Sequence, residues 1–479
     1  MDLKKQILAA VERHHTEITD LSHAIWEYAE RGMGEYKSTV YYVSLLKELG
    51  FSVQENAADI PTAFIGSWGE GKPVVGFLGE FDALPGLSQK GGCAQRSSLG
   101  GECGQGCGHN NLGAGALGAA VALRDYLQEN HLPGTVRFYG CPGEEDGSGK
   151  VYMAEAGLFS DLDLCLTWHP SSSMVVIGGG SLAICSLDFE FTGRSAHAAA
   201  TPYLGRSALD ACELTNVGAN YLREHVIPEA RIHYGYRDAG NPAPNVVQDH
   251  AVINYFCRAP KAQQLLPILE RLKDVARGAA LMTGTTLQIK INDTIANYVP
   301  NHTLSQVMQQ AMEELGVPTY DEMDLAQAHA FRDTFTEAEK NQYRTMLEDT
   351  GLPVDYYSSD DLICPRPMPY VRSDKLMGGS TDVGDASFCA PTAMLSGTTV
   401  AMGTPGHSWQ MTAQGVTPLA DKGTLRAAEI MALTAARAMA DPALLEKAKS
   451  ELIATTGGKP AGLNEPGAKP HILPRPAME

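Results

Sequence analysis

Along the first 180 residues the apolar positions switch repeatedly between helical spacing and short unbroken runs. Residues 1–18, 24–48 and 113–126 repeat apolar side chains at three- and four-residue intervals, which predicts helices packed by one face. Residues 73–78 (PVVGFL), 135–140 and 162–168 are compact apolar runs, which predict buried strands. Strands alternating with helices predict an α/β unit with a mainly parallel sheet flanked by helices. In such sheets functional side chains gather on the loops at the carboxyl ends of strands.

The texture changes after Gly178-Gly179-Gly180. Residues 183–192 (AICSLDFEFT) alternate apolar and polar, as a sheet with one wetter face would. A helix over 204–224, strands near Ile232 and Val252, a helix over 265–282 and a strand near Leu287 follow. That order, β-α-β-β-α-β, predicts a ferredoxin-like α+β domain at 183–296, inserted into a catalytic domain made of 1–182 and 297–479. Helical spacing resumes over 298–316. Residues 319–375 are acidic and aromatic, with a helix expected at 336–347 and a proline-rich loop at 364–369; they read as an elaboration of the larger domain. Residues 455–479 contain five prolines and read as a tail.

Composition narrows the function. A net charge of -19 disfavours nucleic acid and anionic membrane surfaces as partners. No run approaches the roughly 20 apolar residues of a membrane helix, and the start lacks the apolar block of a signal peptide. Ten cysteines in 479 residues are too sparse for a disulfide scaffold, so reduced thiols and a cytoplasmic location are expected.

The chemistry concentrates at predicted strand ends. Cys107-Gly108-His109 puts a thiol and an imidazole two residues apart on a glycine-rich loop, able to face one cation; a buried thiol or a structural zinc site are the alternatives. Glu144-Glu145 follow the 135–140 strand, so that one carboxylate can bind metal while its neighbour handles protons. His169 follows the 162–168 strand, and His407 follows the apolar stretch 391–402. One thiolate, one carboxylate and three imidazoles exceed the four ligands of a closed zinc site, which favours two cations sharing a bridging group. The Gly66 to Lys72 segment imitates a phosphate-binding loop, but Pro73 stands where Ser or Thr is required. Neither a GxSxG elbow nor an HExxH helix is present.

The stretches GEFDALPGLSQKGGCAQ, GCGHN, VRFYGCPGEE, LTWHP, SAHAA, GRSALDA, PNVVQ, GGSTDVGD and GTPGHSWQ, in this order, resemble the two-metal metallopeptidases and amidohydrolases that include aminoacylase, carboxypeptidase G and the auxin-conjugate hydrolases. The likeness is to their cysteine-containing branch. It implies that Cys107 bridges two divalent ions, manganese or zinc. Glu145 and His407 would complete one site, and His109 and His169 the other. It further implies Glu144 as general base and Asp82 as the acid orienting a metal-site residue. The inserted domain would be a lid and dimerisation domain, with a homodimer or a heteromer of related subunits both open. His197 would reach the partner's site to stabilise an oxyanion, Asn245 and Arg258 would hold a substrate carboxylate, and Gly379 and Ser380 would approach the substrate backbone.

One departure stands out. Asn110-Asn111-Leu112 follows His109, where the auxin-conjugate branch reads CGHDxH. The asparagine form is similar to the p-aminobenzoyl-glutamate subgroup. The implied reaction is therefore hydrolysis of an N-acyl or N-aroyl amino acid, with p-aminobenzoyl-glutamate preferred. A dipeptidase or N-acyl-amino-acid deacylase is the first alternative, and a non-catalytic partner subunit the second.

Overall fold

The structure is a computed structural model that describes residues 2–376, 379–465 and 467–475. Pro466 and residues 476–479 of the expected tail, and Gly378 of the GGSTD stretch, lie outside the described residues. The chain begins its sheets with β1 (Ser52–Glu55), β2 (Phe64–Glu70) and β3 (Val74–Gly79), then a short pair, β4 (Leu84–Pro85) and β5 (Cys103–Gly104). β6 (Gly134–Gly140), β7 (Leu164–Ser171) and β8 (Val175–Val176) follow. β9 (Ala183–Thr192), β10 (Arg231–Asp238), β11 (His250–Ala259) and β12 (Thr286–Ile295) form a separate sheet before β13 (Thr392–Thr398) rejoins the first.

The large sheet runs β1-β2-β6-β3-β7-β13-β8. Its centre, β6-β3-β7-β13, is parallel, and antiparallel strands close both edges. Helices cover both faces, which is why β3 is buried along its whole length and reads as an unbroken apolar run. The helix His109–Glu129 is small-residue rich because it lies almost on the sheet. A side chain at Gly113 would meet the Tyr42 hydroxyl and stand 2.6 Å from the Glu80 carbonyl oxygen. This close approach brings the start of the helix against the end of β3.

The second sheet, β10-β11-β9-β12, is wholly antiparallel, and helices Ala208–Leu222 and Ala262–Thr283 pack on it around Leu187, Phe189, Tyr255 and Leu272. The fold is α/β with a lid unit set into it.

Local differences from the sequence reading have physical causes. The helix expected over 24–48 is two helices, His15–Tyr28 and Tyr36–Glu48, separated at Ala29, whose φ of 42° is left-handed. Both halves pack on one core, so the apolar spacing continues across the break. The helix expected over 336–347 is likewise divided, into Glu337–Lys340 and Gln342–Thr350. An additional helix, Glu322–Arg332, starts at a capping box formed by Asp321 and Asp324. The imitation phosphate loop is mostly β2, with Phe64, Ile65 and Gly66 buried.

Candidate metal centre

Parallel strands deliver the chemistry to one edge. β3 runs out into Glu80 and Asp82, both buried; β6 leads into Glu144 and Glu145; and β7 carries His169. Trp168 is fully buried, and its indole N–H donates to the Leu112 carbonyl at 2.8 Å. Alternation along the strand turns the neighbouring His169 to the opposite face. Gly108, at φ 80°, starts the helix that places His109 in its first turn beside Cys107. The loop after β13 brings in His407, whose backbone N–H donates to the Gly106 carbonyl at 3.0 Å.

Cys107 Sγ stands 3.3 Å from His169 Nε2. Donor atoms of Cys107, His109 and His169 lie within 4.8 Å of one another, and Cys107, Glu145 and His407 form a second such group. His407 Nε2 is 3.2 Å from Glu145 Oε1. A third group joins Glu80, His109 and Glu144. The sulfur is thus common to two triads.

The tautomers suit ligation. His109 Nδ1–H donates to Asp82 Oδ1 at 2.8 Å, and His169 Nδ1–H donates to the Pro170 carbonyl at 2.8 Å, which leaves each Nε2 facing the thiol side. Buried His109 Nε2 has no hydrogen-bond partner, and Glu145 Oε1 has only the His407 Nε2 contact at 3.2 Å. Buried polar atoms without partners are costly, and a cation would satisfy both. Burial pushes the Cys107 thiol up to about 12, so the sulfur keeps its proton until a cation displaces it. Burial also works to raise Glu145, but hydrogen bonding to His407 and the charge on His109 hold it at about 2. Glu144 is pushed well above its ordinary value by burial and by Glu80. The donor set fits a pair of divalent ions.

Behind the centre lies a charged cluster that sequence reasoning missed. Lys150, fully buried, places Nζ 2.7 Å from Glu80 Oε1 and 2.5 Å from Asp382 Oδ1, and Glu80 Oε2 is 3.4 Å from His109 Nε2. Only the strand-end position of Glu80, two residues before Asp82, could have signalled it. Asn110 and Asn111 turn away from the centre: both side-chain amides donate to Ser22 Oγ at 2.9 Å and to the Gly415 carbonyl.

The remaining candidates lie outside the Cys107 groups. The exposed His197 accepts hydrogen bonds at Nδ1 from the Ala199 and Ala200 amides, both at 3.2 Å, and its loop pairs with that of Asn245 through Ala198 N–H and the Asn245 carbonyl at 2.9 Å. Arg258 donates to Ser380 Oγ at 3.2 Å, joining the lid to the larger unit. Gly379 is exposed, with open space where a side chain would stand.

Residues 76–376 match the model of peptidase family M20/M25/M40. The chain belongs to this family. It is accordingly a hydrolase of the metallopeptidase and amidohydrolase class. It is 41% identical over 456 residues to the B-type component of Escherichia coli p-aminobenzoyl-glutamate hydrolase, covering 94% of this chain and 95% of the relative. It is 27% identical to the Xaa-Arg dipeptidase of Mus musculus, over 94% of this chain and 92% of that one. A dinuclear metal-binding M20 peptidase of Bacillus subtilis shares the fold, with a TM-score of 0.53 at 16% identity over 87% of this chain and 98% of that one. Among the described residues, no helix of this M20 chain is long and apolar enough to cross a membrane.

Proposed function

We propose that this chain is a two-metal amidohydrolase that cleaves N-aroyl or N-acyl amino acids, with p-aminobenzoyl-glutamate as its preferred substrate. The observation that carries this reading is the membership of Cys107 Sγ in both donor triads, the geometry a bridging ligand needs. His109 and His169 would hold one ion, and Glu145 and His407 the other, manganese or zinc in each case. Such ions, when bound, supply polarisation of a carbonyl and acidification of water.

The chain's own residues do the rest. Glu144 takes the proton of the attacking water at its carboxylate and returns it to the leaving nitrogen. Asp82 fixes the His109 tautomer through Nδ1. Because two amides donate to His197 Nδ1, its neutral form carries hydrogen on Nε2, which is the atom that would donate to a developing oxyanion in a partner's site. Arg258 and Asn245 hold the α- or side-chain carboxylate of the amino-acid half, a fork-like contact that suits arginine. Gly379 and Ser380 border the substrate backbone.

The inserted unit 183–296 would serve as lid and dimerisation surface. The Escherichia coli relative is one of the subunits of its hydrolase, which supports a heteromer with a related subunit; a homodimer is the alternative arrangement. The reduced cysteines support a cytoplasmic location. Turnover of p-aminobenzoyl-glutamate and a set of dipeptides by metal-loaded protein tests the reading. Faster cleavage of dipeptides would favour the dipeptidase alternative, and activity appearing only when a related protein is added would favour a supporting role.

A further inference from the structure

A cavity of about 600 Å³ opens beside the metal centre, with Cys107 and His169 in its wall. Arg258, Gly379 and Ser380, assigned to the amino-acid half, are not among its described lining residues. Part of its wall comes from the elaboration, including Tyr343 and Val371, and part from Val175 and Ile177. That wall is built in. The Met368 and Ser373 amides donate to the Met174 and Gly178 carbonyls at 2.8 and 3.1 Å. A side chain at Gly178 would collide with the Val371 carbonyl, so the two backbones pack in direct contact. Polar side chains line it too, among them Ser172 and Ser396, the latter paired with His169 in the β13–β7 register.

We propose that this cavity is the acyl-side subsite and that the 319–375 elaboration makes it specific for an aromatic acyl group. The inference rests on the amidohydrolase reading and adds where the two halves of the substrate go. With the scissile carbonyl at the Cys107 end and the amino acid toward Arg258, the acyl half has this space to enter. A cavity of this size belongs to the range that encloses ring-sized ligands, and an acetyl group would leave most of it unfilled. The aliphatic and tyrosyl walls suit the faces of a ring.

The test uses metal-loaded full-length protein and 4-aminobenzoate, the acid half alone, with binding followed by calorimetry. Ser172→Trp, which fills the cavity, is expected to weaken 4-aminobenzoate at least tenfold. In turnover, Ser172→Trp is expected to shift the ratio of kcat/KM for p-aminobenzoyl-glutamate over N-acetyl-glutamate at least tenfold toward the acetyl substrate. Should Ser172→Trp not fold, Ser396→Phe makes the same comparison. A parent that does not bind 4-aminobenzoate, or a filled variant that binds it equally well, overturns the assignment. If neither amide is cleaved by the parent, the proposed reaction fails, while the binding comparison still decides the subsite.

Discussion

Asp82 holds His109 from behind: His109 Nδ1–H donates to Asp82 Oδ1 at 2.8 Å, while Asp82 Oδ2 accepts the Glu145 backbone amide at 2.9 Å. One carboxylate therefore orients groups of both donor triads. Asp82→Asn is expected to lower metal affinity by about 10–100-fold with the fold intact. Competition with a chelator, read beside circular dichroism, checks this, and unchanged affinity would remove Asp82 from the centre.

If Cys107 Sγ joins both triads as a ligand, Cys107→Ser should alter both ions together. Cobalt-loaded parent should show a sulfur-to-metal charge-transfer band that the variant lacks, and metal analysis should show the variant holding less than the parent. A band that persists in Cys107→Ser assigns the sulfur elsewhere.

Glu144 belongs to the Glu80–His109 group and not to the two triads that contain Cys107. Glu144→Gln is expected to retain metal and reduce kcat by about 10²–10⁴, the usual worth of a positioned proton carrier. Activity at the parental level would exclude it from proton transfer.

Lys150 balances Glu80 and Asp382 in the interior. Lys150→Met strands two buried carboxylates and is expected to cost about 3–5 kcal/mol in urea unfolding. Adding Asp382→Asn should recover part of that loss, since one of the unpaired charges is then gone. Strictly additive effects would show that the two residues are not coupled.

Burial, helped by nearby Asp382 and Asp146, pushes the Asp293 carboxyl up to about 7 despite the hydrogen bond from Ser148 Oγ at 2.9 Å. The folded state then binds this proton more tightly than the unfolded chain, so stability falls as pH rises from about 4 toward 7. Asp293→Asn should exceed the parent by roughly 1–2 kcal/mol at pH 8, with the gap closing toward pH 4. Urea titrations at the two pH values measure it, and a gap that is constant with pH would contradict the assignment.

Much of the architecture was legible because burial writes itself into the chain. β3 is apolar throughout since both its faces are covered, and β9 alternates in residue type although it too is largely buried. β2 was hidden because Gly66 and Gly69 interrupt its apolar pattern, and the helix Glu322–Arg332 because it buries Asp324 and Arg332 while exposing Met323 and Leu325, so apolar spacing does not mark its packed face. In the same way Cys107, His109, Glu144, Glu145, His169 and His407 stood out, each as a reactive side chain beyond a loop glycine or a strand end. Lys150 and Asp382 gave no such sign, because a charged residue in a sequence reads as solvated until its partners are known.

The order of apolar runs by itself determined the parallel sheet, the inserted β-α-β-β-α-β unit and the strand ends at which reactive groups would appear. Tertiary structure alone decided that one sulfur is shared by two donor groups, that Lys150 is sealed between two carboxylates, and that the elaboration walls a cavity beside His169. The reason is range: periodicity records which face of a segment meets the core, whereas these contacts join residues scores to hundreds of positions apart, whose meeting depends on how strands and loops are stacked.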